Sequence, residues 1–548
     1  MKKIIVKTIS LQHKIINGEI SNDEIYNDVA LKGEVYCYQI VIKALENVNN
    51  LTLAVNSDVL VETYYEKKVI ANNEFGWHGD DYVLRSDDHS YPELLENANG
   101  RFLKNGEVAV FLVCVNKTDK SGIHNVSIDF RGDGELLGKS NFNLNVINAD
   151  LPKEDGVVTH WFHCDCIAEL HKVEIFSDAF YKVFDGYLKT YTEMGNNCLL
   201  VPLITPALDT EVGGERMTAQ LVDVGFDGND YSFDFSAVDR YVDSALKAGI
   251  EYFELSHLFT QWGAEHCPKI VATINGKKEK IFGWEDDSEG ERYAKFLARF
   301  LPAVYDYFAG KGLIEKTFFH LSDEPNDKHI EKYARLYSLV KKYIPNSVTM
   351  DALSEYDFYD RGIVDLPVVN ENCTLKFRQN KIKHLTYYCC TECTNYDINR
   401  FLAMPVERTR MLGFAMYKND SSGFLQWGYN FYHTGKSLAV IDPYKDNSAG
   451  GYFPSGDAFI VYPDVEKGSC KKTVRFYYML CAFQDRRALK LAEKTVGKKA
   501  VLGILDKYGV CSYNVYPHSG YLLEEMRKEV YSAILKNIKP DNSQSTVD

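Results

Sequence analysis

The sequence predicts an α/β protein in which a (β/α)8 barrel of the TIM type follows an N-terminal antiparallel β-sandwich. Its 548 residues exceed what a single hydrophobic core usually organises, so we expect more than one domain. Up to about residue 150, hydrophobic residues recur with the two-residue period of half-buried strands. Beyond that point apolar runs alternate with amphipathic helical stretches, which is the rhythm that a barrel requires.

The first domain, predicted to span residues 1–150, consists of short strand-like runs separated by Asn, Gly and Asp turns. The clearest runs are residues 35–42, 51–55, 108–115 and 142–146. Short strands in this arrangement are typical of an antiparallel sandwich. The polar stretch 148–156 contains a proline and is predicted to link this domain to the next.

Eight apolar runs predict the strands of the barrel, to which we assign residues 156–495. These runs are residues 158–166, 198–204, 252–257, 317–322, 348–352, 364–369, 385–389 and 423–429. Amphipathic stretches predict helices at residues 177–193, 238–248, 289–308 and 328–343. An open, doubly wound sheet is the alternative, but no Gly-rich dinucleotide-binding turn follows any of these strands.

The last part of the chain, residues 496–548, is predicted to form a small C-terminal extension. Its apolar residues predict a strand near 510–515 and a helix near 521–538.

The composition limits the partners and the location of the protein. A formal net charge of -15 argues against nucleic acid or an anionic membrane as the main partner. Lys7 and the polar residues 10–14 interrupt the N-terminal apolar stretch before a signal peptide can form, and no later run is long enough to span a membrane. The 13 cysteines are scattered and odd in number, which suits a reducing compartment. We therefore expect a cytoplasmic protein without membrane insertion; its oligomeric state is left open.

The strongest candidate for chemistry is the acidic pair Asp323 and Glu324. An apolar run, residues 317–321, ends in these two acids and Pro325, which stops the strand and forces a turn. The carboxyl ends of barrel strands are where catalytic groups gather, because the loops there vary above a rigid core. A surface turn is the ordinary explanation of such a pair, but the buried run before it favours a catalytic site.

Two carboxylates at one strand end are suited to glycoside hydrolysis, which needs a proton donor and a group that stabilises the cationic ring. Adjacent acids fit poorly to a scheme in which nucleophile and acid approach opposite faces of the sugar. They fit a substrate-assisted scheme, in which the substrate's own 2-acetamido oxygen attacks the anomeric carbon. One carboxylate then holds the amide while its neighbour donates the proton.

Four segments resemble glycoside hydrolase family 123, and the resemblance extends over roughly residues 151–491. They are the Ser-Asp-Glu-Pro turn at 322–325, Thr-His-Trp-Phe-His-Cys-Asp at 159–165, Gly-Phe-Leu-Gln-Trp-Gly-Tyr-Asn at 423–430 and Gly-Asp-Ala-Phe-Ile-Val-Tyr-Pro at 456–463. The family implies a sandwich followed by a barrel and a retaining β-N-acetylgalactosaminidase. By position, it implies that Glu324 is the general acid/base and that Asp323 orients the acetamido group.

Seven further residues follow or end predicted barrel strands and are candidates for contact with the sugar. Aromatic faces can stack on a pyranose, and polar side chains can bind its hydroxyl or acetamido groups. These candidates are His257, Trp262, Tyr356, Asn370, Tyr388, Trp427 and Asn430.

The sequence predicts no metal and no cofactor. His163 and Asp165 lie on one face of the first barrel strand, but no third ligand with suitable spacing accompanies them. Cys390 and Cys393 form a lone C-x-x-C without the second pair that a zinc site needs. The substrate-assisted scheme itself needs no ion.

We therefore predict an exo-acting retaining glycosidase that releases terminal β-linked N-acetylgalactosamine from glycans or glycolipid headgroups. Two alternatives stay open at this stage. One is a conventional two-carboxylate glycosidase that acts on another sugar. The other is a carbohydrate-binding barrel protein without catalytic activity, because one fold supports many functions.

Overall fold

A computed structural model describes residues 2–76, 79–387 and 394–536, and its N-terminal part is built from strands. These strands are β1 (Ile4–Ser10), β2 (Asn27–Lys32), β3 (Tyr36–Ala44), β4 (Val48–Asn56), β5 (Val61–Ile70), β6 (Ser90–Asn97), β7 (Arg101–Leu103), β8 (Val108–Val115), β9 (Gly122–Gly132) and β10 (Glu135–Asp150). They form two five-stranded sheets, ordered β1-β3-β8-β5-β6 and β2-β10-β9-β4-β7. Residues such as Tyr38, Phe111, Phe130 and Phe142 are fully buried in the core of this part.

One strand pair of this region departs from the predicted antiparallel pattern. β2 pairs with β10 in parallel, whereas the other strand pairs of the two sheets are antiparallel. β2 lies at the edge of its sheet, and its partner follows much later in the chain, so no hairpin turn dictates its direction.

The predicted barrel is confirmed: eight parallel strands form a nearly closed sheet. The strands are β11 (Val157–His160), β12 (Cys198–Val201), β15 (Tyr252–Leu255), β18 (Thr317–Phe319), β19 (Val348–Leu353), β20 (Leu366–Asn370), β21 (Leu385–Tyr387) and β22 (Gly423–Gln426). Their order is β11-β22-β21-β20-β19-β18-β15-β12. Val157, Leu200, Met350, Val368 and Leu385 belong to one buried cluster that the strands share.

The strands β11 and β12 close the barrel without a regular ladder between them. The Asn197 side chain bridges them: its Oδ1 accepts from the Val158 amide at 2.8 Å, and its Nδ2 donates to the Gly156 carbonyl at 2.8 Å. The Asn197 amide donates to the Val158 carbonyl at 3.0 Å. One polar residue therefore satisfies backbone groups that the missing ladder would leave unpaired.

Helices cover the outside of the barrel and the C-terminal region. They are α1 (Cys164–His171), α2 (Asp178–Glu193), α3 (Ser236–Ala248), α4 (Glu291–Gly310), α5 (Ile330–Tyr343), α6 (Tyr356–Asp360), α7 (Thr374–Gln379), α8 (Val406–Arg410), α9 (Leu412–Lys418), α10 (Val474–Val496), α11 (Lys498–Lys507) and α12 (Gly520–Leu535). Among the described residues, no helix combines the length and the hydrophobicity that crossing a lipid bilayer demands.

Smaller sheets lie outside the barrel ring. One contains β13 (Asp223–Phe226), β14 (Tyr231–Asp234), β16 (Ile270–Ile274) and β17 (Lys277–Phe282), and another contains β23 (Val461–Asp464) and β24 (Ser469–Lys472). The predicted strand at 510–515 is absent. Val510, Tyr513 and Tyr516 are buried at every third position, which is not the period of a strand, and the Val515 carbonyl turns back to the amide of Cys511 at 2.8 Å.

Buried ion pairs join the N-terminal sheets to the barrel and to α12. Arg475 at the start of α10 pairs with Glu93 of β6, its Nη2 lying 2.5 Å from Oε1, and both side chains are almost fully buried. Arg527 of α12 pairs with Glu34 at 2.9 Å. The N-terminal and C-terminal parts of the chain are thus fastened to each other through charged groups that are shielded from water.

Candidate active site

A cavity of about 250 Å³ opens at the carboxyl ends of the barrel strands. This volume lies near the lower end of the range for small-molecule sites and suits a single sugar unit better than a long chain. The lining residues are Trp161, Leu208, Asp209, Gln261, Trp262, Asp323, Glu324, Ala352, Tyr387, Leu425, Gln426, Trp427, Tyr452 and Phe453.

Asp323 and Glu324 both line this cavity, in the loop that follows β18. His320 and Leu321 remain fully buried after the strand ends, so the chain reaches the rim before it turns. The Glu324 backbone adopts a left-handed conformation with φ of 46°, which is strained for a residue other than glycine. Its amide donates to the Ala352 carbonyl at 3.1 Å, while the Asp323 carbonyl accepts from the Trp262 amide at 2.8 Å. These bonds hold the turn between its two neighbouring strands.

The pair sits in an environment that favours protonation. Burial raises the pKa of Asp323 well above its usual value, and the adjacent negative charge of Glu324 raises it further. Desolvation likewise raises the pKa of Glu324, although this side chain faces the open mouth of the cavity. Because two close carboxylates resist being ionised together, the pair retains a proton at a pH where a free carboxyl would have lost it.

Tyr387 and Trp262 position the Glu324 carboxylate, which accepts a hydrogen bond from each of them. These bonds favour the ionised form and partly oppose the effect of burial on the pKa of Glu324. The acid is therefore oriented by one residue on each side, from β21 and from the loop after β15.

A charged layer lies beneath the pair. The imidazole of His320 bridges two fully buried carboxylates, with Nε2 2.9 Å from Glu254 and Nδ1 3.1 Å from Asp351. Burial lowers the pKa of His320, but the hydrogen bonds and charges of Asp351 and Glu254 outweigh it and raise the pKa to about 9. His320 therefore carries a positive charge, which lowers the pKa of Asp323 against the effect of burial.

The same layer fixes the backbone that carries the acids. The Asp351 carboxylate accepts hydrogen bonds from the amides of Leu321 at 2.9 Å and Ser322 at 3.3 Å. The Ser322 hydroxyl donates to the Thr260 carbonyl at 2.8 Å. The backbone that carries the acids is thus held by a side chain of the adjacent strand β19 and by the backbone of the loop after β15.

Aromatic side chains form a large part of the cavity wall. The Trp161 indole donates to Glu254 at 3.1 Å, and the Trp427 indole donates to Asp457 at 3.2 Å. Trp427 also packs against Phe453, with ring centroids 4.7 Å apart. Rigid rings whose polar edges are already bonded leave their faces for the apolar side of a sugar ring.

The structure places the predicted contact residues in different environments. Trp262 and Trp427 line the cavity together with the acidic pair, and Trp262 is 43% exposed. Tyr388 lies outside the described residues, but its neighbour Tyr387 lines the cavity. The other four, His257, Tyr356, Asn370 and Asn430, are not among the lining residues.

These four residues have other contacts. His257 is buried and stacks on His320, with ring centroids 4.3 Å apart. Tyr356 packs on Phe377 in an edge-to-face contact. The Asn370 side chain accepts from the Asn372 amide at 3.0 Å, and Asn430 bonds to the backbone of His163 through both its oxygen and its nitrogen.

Several lining residues were not singled out from the sequence, and Asp209 and Gln261 are the clearest examples. Both lie in loops after barrel strands. Gln261 belongs to the segment 257–263, in which His257 and Trp262 were the residues predicted to contact the sugar. Asp457, which bonds to Gln426 at 3.1 Å and to Trp427, belongs to a segment that carried the family resemblance. An acidic side chain among apolar neighbours is the sequence signal that could have identified Asp457.

Within the part of the chain that the structure describes, two clusters have metal-ligating atoms within reach of one another, Asp165 with Cys166 and His433, and His257 with His320 and Asp351. In the first, Asp165 pairs with Arg216 at 2.8 Å, and His433 bonds to Glu169 at 2.5 Å. In the second, His320 and Asp351 bond to each other and hold the layer beneath the acids. Protein groups thus already engage most of these ligand atoms. Cys390 and Cys393 lie outside the described residues.

Comparison with known proteins agrees with this geometry. The profile described as glycoside hydrolase 123, catalytic domain, matches residues 161–492. The fold is similar to that of a family 123 glycoside hydrolase from Clostridium perfringens, whose structure was analysed for glycolipid glycan hydrolysis. The TM-score is 0.72 at 16% identity, and the match covers 97% of this chain and 98% of the other.

Other solved structures are less similar. A family 39 glycoside hydrolase from Bacteroides cellulosilyticus matches with a TM-score of 0.33 at 9% identity, covering 86% of this chain and 82% of the other. A family 5 mannosidase from Rhizomucor miehei matches with a TM-score of 0.34 at 11% identity, covering 66% and 97%. Scores at this level do not establish a shared fold. No curated protein matches the chain at a significant level.

Proposed function

This chain belongs to glycoside hydrolase family 123, and we propose that it is an exo-acting, retaining β-N-acetylgalactosaminidase with a substrate-assisted mechanism. The observation that carries the proposal is the adjacent pair Asp323 and Glu324, whose side chains both line one small cavity at the barrel mouth. The substrate would be a glycan or a glycolipid headgroup with a terminal β-linked N-acetylgalactosamine. The C. perfringens enzyme's association with glycolipid glycans supports that class.

In this mechanism Glu324 is the general acid. Desolvation raises the pKa of Glu324, and an acid with a raised pKa keeps its proton to a higher pH than a free carboxyl does and can give it to the leaving oxygen. Tyr387 and Trp262 hold the carboxyl in place for that transfer. After the aglycone leaves, the same group, now ionised, accepts a proton from the attacking water.

Asp323 binds the acetamido group and keeps its oxygen pointed at the anomeric carbon. A hydrogen bond from the amide N–H favours the ionised form of Asp323, so substrate binding moves the shared proton of the pair to Glu324. The buried charge of His320 favours the same distribution, because it lowers the pKa of Asp323. The developing positive charge of the cyclised intermediate is then stabilised by a fixed carboxylate.

A conventional two-carboxylate glycosidase is the second candidate, because Asp209 is a third acid that lines the cavity. Such an enzyme would use Asp209 as a nucleophile or base and would not depend on a 2-acetamido group. Nitrophenyl glycosides that differ only at C2 and C4 distinguish the two candidates. Turnover of 2-hydroxy sugars at rates similar to those of 2-acetamido sugars would favour the second, and glycan binding without product would indicate a binding protein.

Replacing Glu324 by Gln tests the acid. We expect a loss of about 10²- to 10⁴-fold on natural glycosides, the usual contribution of a general acid, and a much smaller loss on aryl glycosides with good leaving groups. The measurement is kcat/KM on both substrate classes. Glu265→Gln is the matched control, since Glu265 pairs with Lys332 at 2.7 Å and is not a lining residue. Equal losses on both substrate classes would rule out Glu324 as the acid.

Replacing Asp323 by Asn tests the orienting role. Because Asp323 acts on the internal nucleophile, kcat should fall by roughly 10²-fold or more on every 2-acetamido substrate, whatever its leaving group. A thiazoline that mimics the cyclised intermediate should inhibit the unmodified enzyme far more strongly than N-acetylgalactosamine does. Weak inhibition by the thiazoline would contradict the substrate-assisted scheme.

A further inference from the structure

Asp209 is a cavity residue that the mechanism above leaves without a role. It follows β12 in the loop that borders the site, and its side chain is partly buried. Its backbone groups are bonded, but no hydrogen bond or ion pair to its carboxylate occurs among the residues that the structure describes. Burial raises the pKa of this carboxyl to about 7. The charges of Arg216 and His433 lower the pKa of Asp209 against the effect of burial, but neither side chain forms a hydrogen bond or a salt bridge with its carboxylate. A desolvated acid without a hydrogen-bonded partner among the described residues costs stability, so its position needs a reason.

The loop around Asp209 is held firmly. The Asp209 amide donates to Gln261 Oε1 at 2.6 Å, and the Ser437 hydroxyl donates to the Asp209 carbonyl at 2.7 Å. The Arg216 guanidinium donates to the preceding carbonyl, that of Leu208, at 2.8 Å. The backbone of Asp209 adopts a left-handed conformation with φ of 47°. Bonds from three separate segments thus keep a strained residue at the edge of the cavity.

The charged side chains that line the cavity are all acidic. Asp209, Asp323 and Glu324 line it, and none of the lining residues among the described ranges is Lys, Arg or His. Arg216 is the basic side chain bound to this loop, but its guanidinium is buried against Asp165 at 2.8 Å. No described basic group therefore faces the cavity to receive an anionic substituent.

We infer that Asp209 binds hydroxyl groups of the terminal sugar and, with the acidic pair, restricts the enzyme to uncharged sugars. The inference rests on the proposed function and names its substrate class: terminal N-acetylgalactosamine without sulfate or carboxylate substituents. A carboxylate without a protein partner can accept two hydroxyl donors from one pyranose. A sulfate in the same place brings no hydrogen to donate and adds a charge of the same sign in a poorly hydrated site.

The experiment compares nitrophenyl β-N-acetylgalactosaminide with its 4-sulfate and its 6-sulfate, using the wild type and Asp209→Asn. The wild type should cleave both sulfated substrates at least 100-fold less efficiently than the neutral one. The variant should lose roughly 10- to 100-fold on the neutral substrate, the value of a hydrogen bond to a charged group. The kcat/KM of the variant on at least one sulfated substrate should fall much less. The ratio of kcat/KM between the neutral and that sulfated substrate should therefore be smaller in the variant than in the wild type.

Glu211→Gln is the matched control, because Glu211 lies two residues along the same loop, is exposed and pairs with Lys436 at 3.6 Å. It should behave like the wild type. The midpoint of thermal unfolding of Asp209→Asn should equal or exceed that of the wild type, since the variant removes a desolvated charge; this excludes misfolding as the cause of the loss. Wild-type turnover of a sulfated substrate within tenfold of the neutral one would overturn the inference.

Binding of free N-acetylgalactosamine, measured by calorimetry, separates this inference from the proposed function. Weaker binding to Asp209→Asn than to the wild type supports the inference independently of turnover. Equal binding and equal kcat/KM in the two proteins overturn the inference while the glycosidase activity stands. A wild type that neither binds nor cleaves acetamido sugars overturns the proposed function, and the inference with it.

Discussion

His320 shows how a single buried charge can organise the rim of a cavity. It is sandwiched between Glu254 and Asp351, all three being inaccessible to water. A cation between two anions compensates most of the cost of burying them, provided that every member keeps its partner. Because His320 comes three residues before Asp323, the same charge also lowers the pKa of Asp323 in the acidic pair.

Replacing His320 by Gln removes the cation and leaves two buried carboxylates facing each other. We expect the free energy of unfolding to fall by about 3–5 kcal/mol, which is typical of breaking a buried pair. The measurement is urea unfolding at about pH 6. Lys332→Gln is the comparison, because it breaks the more exposed ion pair with Glu265 and should cost less than about 1 kcal/mol. An equally small loss for His320→Gln would contradict a charged His320.

The same residue predicts a pH dependence of stability. The pKa of His320 is raised from 6.5 to about 9 in the folded state. The contribution of the protonated imidazole to the free energy of unfolding is therefore complete below pH 6.5 and is lost as the pH rises through about 9. The difference between the stability curves of the wild type and His320→Gln should therefore shrink by roughly 3 kcal/mol between about pH 6 and pH 10. A constant difference would show that His320 is neutral.

At the level of single residues, the sequence identifies the acids but not their surroundings. Asp323 and Glu324 stand out because they interrupt an apolar run, which is a local signal. Asp209 carries no such signal, because its place in the cavity depends on contacts with Gln261 and Ser437 that are distant in sequence. Tyr387 was not predicted as a contact residue, because consecutive side chains of a strand point to opposite faces and a run of aromatic residues does not reveal which of its members line the cavity.

At the scale of single elements, the helices α9 and α10 pack with their backbones close together. A side chain on Gly413 would overlap the carbonyl oxygen of Ala482 and approach the Arg486 amide at 3.1 Å. Glycine therefore allows the two backbones to touch, and α10 is in turn the helix that carries Arg475 and Arg486. The close contact at Gly413 therefore joins α9 to the helix that pairs with the N-terminal sheets through Arg475.

Replacing Gly413 by Ala should destabilise the protein by about 1–3 kcal/mol, because the neighbouring backbone must shift to admit a methyl group. Gly503→Ala is the matched control, since Gly503 lies in α11 and its added side chain would meet no atom. That change should stabilise the protein by about 0.5–1 kcal/mol through helix propensity. Thermal unfolding of both variants measures the two effects, and a Gly413→Ala protein as stable as the wild type would contradict the packing argument.

The presence of each barrel strand was easier to predict than the residues at which it begins and ends. All eight barrel strands lie where the apolar runs place them, because strands buried on both faces read as continuous hydrophobic stretches. Several predicted strands were too long: residues 161–166, assigned to the first strand, contain the cavity residue Trp161 and the start of α1 at Cys164. Apolar residues continue past the strand end here because the cavity wall and the helix are buried as well.

At the scale of the whole molecule, buried ion pairs connect parts of the chain that are distant in sequence. Glu93 and Arg475 join β6 to α10, and the Arg475 guanidinium also donates to the carbonyls of Arg400, Gly456 and Phe459. The segment from Gly456 leads directly to Asp457 and to the Trp427 wall of the cavity. The N-terminal sheets thus support the loops that shape the site.

Replacing Arg475 by Met should cost about 3–5 kcal/mol, since Glu93 would be left buried without its partner. The double variant Glu93→Gln, Arg475→Met should recover part of that loss, because no uncompensated charge remains. Urea unfolding of the two single variants and the double variant gives the coupling energy. Additive losses would show that the two side chains do not depend on each other.

Three residues of the cavity, Asp209, Trp262 and Glu324, have left-handed backbones, a conformation that costs least for glycine and less for asparagine and aspartate than for other residues. Selection for folding alone would therefore replace Trp262 and Glu324. Among relatives with this barrel, glycine or asparagine at these two positions would mark scaffolds that no longer hydrolyse sugars, whereas retention of tryptophan and glutamate would mark working enzymes. The residues at left-handed positions of the cavity therefore distinguish relatives that keep the activity from relatives that have lost it.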